Sequence, residues 1–201
     1  MTLRLLLATT NLAKMREYSL LFRGVPLQLT TLAEESIEVE VSETGNTLEE
    51  NARMKAAAYA VDDKFVVAAD DSGLEVDALG GEPGPLSARF AGKNASDKDK
   101  VALLLSRLAE VPWERRSAHF RCVIAIAATS HVLRIFEGEC QGVIAFEPRG
   151  SQGFGYDPVF YLPELGKTMA ELSIEEKNRV SHRGKAARKA LRFLRKYVPG
   201  N

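Results

Sequence analysis

Hydrophobic positions along the chain change period several times, and each change marks a passage between strand and helix. Leu3 to Ala8 is a short, nearly continuous apolar run, the pattern of a strand covered on both faces. It meets Thr9-Thr10-Asn11, after which Leu12, Met15, Tyr18, Leu21 and Phe22 recur at helical spacing with Asn11 as N-cap. Leu27 to Leu32 and Ile37 to Val41 read as short strands, the second alternating Ile37, Val39 and Val41 with Glu38 and Glu40. Thr47-Leu48-Glu49-Glu50 matches a capping box, and Leu48, Ala52, Ala56, Tyr59 and Ala60 form the stripe of a helix ending near Asp62. Val66 to Ala69 is then an apolar strand that stops at Asp70-Asp71-Ser72-Gly73, and Leu74 to Leu79 alternates as an antiparallel strand wet on one side.

The loop from Gly80 to Gly92 is dense in glycine and proline and long for a simple connection, which marks it as functional. Ser96 to Asp99 caps a helix carrying Val101, Leu104, Leu105 and Leu108. From Ala118 the period is two again. His119 to Ala127, Val132 to Glu139 and Val143 to Phe146 predict an antiparallel meander, with Thr129-Ser130-His131 as a turn. Ser173 to Glu176 caps a short helix. The last helix turns Ala187, Ala190, Leu191, Leu194 and Val198 to the core, leaving Arg188, Lys189, Arg192, Arg195 and Lys196 as a basic outer face. The expected fold is α/β: a two-lobed mixed sheet with flanking helices and a central cleft, with residues 1–201 forming one domain.

Composition narrows the function. Lys plus Arg and Asp plus Glu both count 27, so the formal charge is zero and no bias toward polyanions appears. Cys122 and Cys140 lie in alternating apolar stretches without CxxC spacing, which reads as two buried thiols. No apolar run approaches the ~20 residues that a spanning helix needs, and no charged-then-apolar leader is seen. The expectation is a cytoplasmic protein that engages neither membrane nor nucleic acid. His119 and His131 fit an outward strand position and a turn, and carry no assigned chemistry.

Asp70 and Asp71 at the end of a buried strand suit a metal, since ligands gather where strands leave a sheet; the alternative is an acidic capping turn. Adjacent residues of a regular strand point to opposite faces, so the pair shares one ion only if the strand has already ended. Asp71 therefore ranks above Asp70. The helix start after Asn11, with Lys14 in its first turn, offers N–H groups and positive charge to a phosphate; the alternative is plain capping beside a solvated lysine. Lys55 points either to solvent or toward a ligand. Between Pro148 and Tyr161, Phe154 and Tyr156 sit among glycines, placed either to stack on a base or to pack inward.

Taken together these stretches resemble the inosine/xanthosine triphosphate pyrophosphatases, the Ham1-like house-cleaning enzymes. The matching segments are Ala8 to Lys14 with Glu17, Glu43 to Thr47 through Glu50-Asn51-Ala52 and Lys55-Ala56, and Ala69 to Leu74. They continue with Gly80 to Gly84, Ser87 to Arg89, Gly153 to Pro158, Glu176-Lys177 and Ser181 to Arg183. They follow the family's order over essentially the whole chain. The resemblance implies a homodimer that hydrolyses the non-standard purine nucleotides ITP, dITP and XTP to monophosphate and pyrophosphate with Mg²⁺.

By that similarity, Thr9, Thr10, Asn11, Leu12, Ala13, Lys14 and Lys55 hold the phosphates. Asp71 is the catalytic acid residue that binds metal and activates water, with Asp70 and Glu43 as further metal ligands and Ser72 touching substrate beside it. Phe154, Gly155, Tyr156, Asp157, Lys177, His182 and Arg183 line the base and sugar pocket. Arg183, a donor without acceptor capacity, suits the 6-oxo group of hypoxanthine or xanthine and leaves adenine's amino group unmatched. Two departures stand out. Thr10 occupies a position where the family often has glycine, and Ser42 replaces a frequent acid just before Glu43, which weakens a metal role for that turn. The competing readings are a nucleotide hydrolase of different base preference and a nucleic-acid-binding protein using the basic C-terminal helix.

Overall fold

The structure, a computed structural model, describes residues 2–39, 41–61 and 63–197. In chain order the elements are β1 (Leu3–Leu7), α1 (Leu12–Leu21), β2 (Leu27–Thr31), α2 (Leu48–Tyr59), β3 (Val66–Val76), β4 (Pro83–Gly84) and α3 (Asp97–Arg107). They continue with β5 (Ser117–Ala128), β6 (His131–Ile144), β7 (Phe160–Leu162), β8 (Lys167–Thr168), α4 (Ile174–Val180) and α5 (His182–Leu194). The strands run in the order β2-β1-β3-β5-β6-β7-β8, and β4 pairs with β3. β1 is parallel to both β2 and β3, setting Leu5 opposite Leu29 and Leu7 opposite Ala68. This is the mixed α/β fold that the pattern predicts. The chain divides into two compact units, and β3, β5 and β6 each contribute to both.

The first unit comprises Met1–Asp71, Cys122–Gly138 and Arg183–Asn201. Its parallel strands are covered on both faces, which is why they read as unbroken apolar runs. Leu5, Leu7, Ala68, Cys122, Ile124 and Ile126 pack with Tyr18 of α1, with Phe22 that caps its C-terminus, and with Ala187, Ala190 and Leu194 of α5. Leu6, Ala8, Val67, Ala69, Val123 and Ala125 pack instead with Leu48, Ala52 and Ala56 of α2. Parity along β3 therefore selects a neighbour: even positions meet α1 and α5, odd positions meet α2.

The second unit comprises Ser72–Arg121 and Glu139–His182. Its core gathers Leu74, Val76, Leu104, Leu108, Phe120, Ile144, Tyr156, Phe160 and Met169. Arg116 is fully buried there. It donates to the carbonyls of Ile144 at 2.8 Å, Leu108 at 2.9 Å and Val111 at 3.1 Å, so backbone dipoles offset the cost of burying its charge. Gly73 admits the β4 strand: a Cβ at 73 would collide with the Gly84 carbonyl.

Several sequence expectations are corrected. The central strand does not stop at Asp70 but runs to Val76, absorbing what read as a separate strand from Leu74, and Asp77–Leu79 is a 3-10 turn. The acids stay in the strand because cations neutralise them there, and β4 extends the pairing beyond them at Leu74 and Glu75. Val132 to Glu139 and Val143 to Phe146 are likewise mostly one strand, β6. Ile37 to Val41 forms no strand among its described residues. Val39 is exposed, and its carbonyl accepts from the Tyr59 hydroxyl at 2.6 Å. Leu12 opens α1 but is 66% exposed, so it adds nothing to the core. The alternating Glu40, the helix end at Asp62 and the core position of Val198 lie outside the described residues. Cys122 and Cys140 are buried free thiols, as expected.

Candidate active site

In the first unit, the parity of β3 sends the two adjacent acids to opposite faces. Asp70 follows Ala68 toward α1 and α5, where its Oδ2 meets the Lys14 ammonium at 3.0 Å and Arg183 Nε at 3.4 Å. Arg183 in turn donates to Glu17 Oε2 at 2.6 Å and lies over the Tyr18 ring. Of the four charged groups in this chain of contacts, Asp70, Arg183 and Glu17 are buried and Lys14 is half-buried. Burial pushes the Asp70 carboxyl up, but Lys14, Arg183 and Lys55 outweigh it and hold its pKa at about 2. Asp70 is a permanent anion at any physiological pH.

Asp71 follows Ala69 toward α2. Its Oδ2 accepts from Asn51 Nδ2 at 3.0 Å, and Lys55 Nζ stands 3.7 Å from its Oδ1. Lys55 also donates to Glu43 Oε1 at 2.5 Å and to the Asp70 carbonyl at 2.6 Å, so it bridges both acids from the α2 side. Burial raises the Asp71 pKa, and the opposing pull of Lys55 and Lys14 does not cancel it. For Lys55, burial alone lowers the pKa, but Asp71, Asp70 and Glu43 raise it. The two neighbours thus diverge: one carboxylate is locked ionised by buried cations, while the other is held nearer the point of proton exchange.

Because β3 continues through them, Asp70 and Asp71 do not face one ion, and the Glu43 carboxylate is engaged with Lys55. No group of three or more His, Cys, Asp or Glu side chains suited to a metal occurs among the described residues. One buried oxygen, Asp70 Oδ1, has no hydrogen-bond donor among them. Hard oxygen donors with one or two carboxylates are nevertheless what Mg²⁺ takes when substrate and water complete its shell, so Asp71 fits that ion.

At the start of α1, Asn11 caps the helix: its Oδ1 accepts from Ala13 N at 2.9 Å and Lys14 N at 3.1 Å, while Thr9 Oγ1 accepts from Asn11 N at 3.2 Å. Thr10, Asn11 and Leu12 are exposed, and Thr9, Ala13 and Lys14 are half-buried. The Lys14 charge is directed at Asp70 rather than at solvent.

The second unit collects a different group. The Asp157 carboxylate accepts from Phe154 N at 2.8 Å and pairs with the buried Lys177 ammonium, which also sits 4.7 Å from the centre of the half-buried Phe154 ring. Gly153 makes room for this carboxylate, with which a Cβ would collide. Tyr156 packs inward, its hydroxyl donating to Ser87 O at 2.9 Å, whereas Phe154 is half-buried. His182 is buried and stacks on Phe120 with ring centroids 4.6 Å apart. Ser72 is half-buried at the beginning of this unit. Arg183 belongs to the first unit and is fully buried, with Glu17 and Asp70 as ion-pair partners.

Three further residues matter here that the sequence reading gave no site role. Glu17 carried a readable signal, since it lies three residues after Lys14 on one helix face. Asn51 is fully buried and binds both Asp71 and Gly45 N, the latter at 2.8 Å; nothing in an isolated asparagine on a helix signals this. Asp97, in the first turn of α3, accepts from Gly155 N at 2.6 Å and so pins the loop that carries Phe154.

The Ham1 family model matches residues 5–193. The dITP/XTP pyrophosphatase of Geobacillus kaustophilus is 50% identical over 185 residues, 92% of this chain and 91% of that protein. That of Bacillus subtilis is 43% identical over 189 residues, 94% and 96% of the two chains. The solved HAM1 protein of Coxiella burnetii superposes with a TM-score of 0.88 at 40% identity, covering 97% of this chain and all of that one. With a family match over nearly its whole length and a relative half identical to it, this chain belongs to the Ham1 family.

Proposed function

We propose that this chain hydrolyses the α–β phosphoanhydride of ITP, dITP and XTP, releasing the nucleoside monophosphate and pyrophosphate. The observation that carries the reading is Asp71: a buried carboxylate with a raised pKa, held by Asn51 and faced by Lys55. The dITP/XTP pyrophosphatases among its relatives support it. Phosphoryl transfer is mostly positioning and charge neutralisation, which asks for this combination of cations and one poised base.

In the proposed reaction Asp71 accepts a proton from the water that attacks the α-phosphorus. The bond from that phosphorus to the bridging oxygen breaks, and the electron pair leaves with pyrophosphate. Lys14 and Lys55, with the start of α1 from Thr9 to Ala13, offset the triphosphate charge. Glu43 and the Asp70 carbonyl position Lys55 for this. Mg²⁺, held by Asp71, would supply further charge neutralisation on the phosphate oxygens. Phe154 offers a face for the purine, with Gly155, Tyr156, Asp157, Lys177, His182 and Ser72 as the surrounding contacts. Arg183 is the donor for the 6-oxo group: a guanidinium has no acceptor to offer adenine's amino group. A cytoplasmic homodimer completes the proposal. No described helix is long and apolar enough to cross a membrane.

Incubation with ITP, dITP, XTP, GTP, ATP and dUTP, with product separation, tests this. Inosine and xanthine nucleotides should react fastest and release pyrophosphate. Orthophosphate release would overturn the mechanism, and equal ATP turnover the selectivity.

Asp97 gives a second measurement. Asp97→Ala frees Gly155 N at the cost of one charge-assisted hydrogen bond, worth on the order of 1 kcal/mol, so KM for dITP should rise roughly fivefold with kcat within about twofold. Asp97→Asn, which retains an acceptor oxygen, should recover most of the loss. An unchanged KM in the alanine variant would remove Asp97 from the positioning of this loop.

A further inference from the structure

Strand β6, the last turn of α5 and Lys196 just beyond it line an open cavity of about 460 Å³ in the first unit, with Arg134, Phe136, Arg192, Phe193 and Lys196 as its walls. None of these residues takes part in the chemistry proposed above. Phe136 and Phe193 form its apolar wall, with ring centroids 5.4 Å apart and planes inclined by 53°. Arg134, Arg192 and Lys196 supply three cations, and none of them forms an ion pair among the described residues. No carboxylate lines the cavity. α5 contains no acidic residue, and strand alternation carries Glu137 to the face opposite Arg134 and Phe136.

A basic end of a helix has an ordinary explanation, because cations near the C-terminus interact favourably with the helix dipole. That accounts for Arg192 and Lys196. It does not account for Arg134, which comes from a strand and adds its charge to theirs without a compensating acid. In a chain whose formal charge is zero overall, three cations without an ion-pair partner among the described residues, set beside two aromatic rings, make a local site for an anion with a flat apolar body. The volume falls within the range of small-ligand pockets.

We infer that this cavity is a second nucleotide site, distinct from the catalytic residues, that takes a nucleoside phosphate with its base against Phe136 and Phe193 and its phosphate among Arg134, Arg192 and Lys196. A monophosphate, the product class of the proposed reaction, is the natural probe because hydrolysis of the anhydride cannot consume it.

Calorimetric titration of inosine 5′-monophosphate into the wild-type chain should give two sites per chain, and into R134E/R192E one. The remaining site should keep its affinity, and thermal melting should verify that the variant is folded. Phe136→Leu should weaken the second site at least fivefold for the nucleotide while leaving inorganic phosphate binding unchanged. R134E/R192E should retain dITP hydrolysis within twofold at saturating substrate. If hydrolysis is absent from both proteins while the second site is lost only in the variant, the catalytic reading fails and this one stands. A single site in wild type, identical isotherms for the two proteins, or phosphate binding as tightly as the nucleotide would each overturn it. So would affinity that grows with the length of an oligonucleotide, which would make the surface a nucleic-acid groove.

Discussion

Replacing Asp71 by asparagine is expected to lower kcat for dITP by about a thousandfold while leaving the protein folded and at least as stable as wild type near pH 7. Asparagine preserves shape and an oxygen for the Asn51 amide, but it cannot take a proton from water. The stability half of the expectation follows from the raised pKa. An acid whose pKa is higher in the folded chain than the ordinary value near 3.9 favours folding below that value, and the advantage is lost as pH rises through the folded pKa. At neutral pH the ionised Asp71 therefore strains the fold, and a neutral residue relieves it. The rate of the wild-type enzyme should fall on the acid side with an apparent pKa above 3.8, a limb that the variant's residual rate should lack. Steady-state rates between pH 4 and 8, with thermal melts of both proteins, check the two halves separately. Activity within tenfold of wild type would remove Asp71 from its role; a large fall in melting temperature would mean that its ionised form is structural.

The sequence made the elements legible wherever burial is one-dimensional. β1 and the first part of β3 are apolar on both faces because helices cover both sides, and a run such as Leu5-Leu6-Leu7 has no other reading. The capping residues Asn11, Thr47, Ser96 and Ser173 each accept backbone N–H bonds at a helix start, since that chemistry is local and needs no tertiary information. What stayed hidden depends on partners far along the chain. A strand expected to end at Asp70 continues because Lys14, Lys55 and Arg183 arrive from three different helices to neutralise the acids. Arg183 pairs with Glu17, 166 positions away, and nothing local in the sequence announces that pair. Ile37, Val39 and Val41 had the right alternation for a strand, but with Val39 in solvent the pattern alone could not provide a neighbour.

The buried charges around Arg183 give the second large effect. Removing the carboxylate in Glu17→Ala should destabilise the chain by about 3–5 kcal/mol, because it strands a guanidinium that has almost no contact with water. Asp70 Oδ2 would remain as a partner at 3.4 Å, but it already holds the Lys14 ammonium at 3.0 Å and cannot compensate both cations. Burial lowers the Arg183 pKa and its anions raise it well above the usual value, so the group does not escape by losing its proton. Replacing both ends, as in Glu17→Met with Arg183→Met, should cost far less than the sum of the single changes, since neither charge is then left alone. Urea denaturation of the two single variants and the double variant gives the coupling directly. The double variant should nonetheless lower activity, because Asp70 loses one of the two cations that fix its position next to Asp71. Acid titration supplies an independent reading. The Asp70 pKa of about 2 lies below the ordinary carboxylate value, so its stabilising contribution is complete above roughly pH 4 and disappears as pH falls toward 2. In Asp70→Asn that contribution should be missing from the acid limb of the stability curve. A Glu17→Ala chain within 1 kcal/mol of wild type would show that water reaches Arg183 and that the cluster does not hold the fold together.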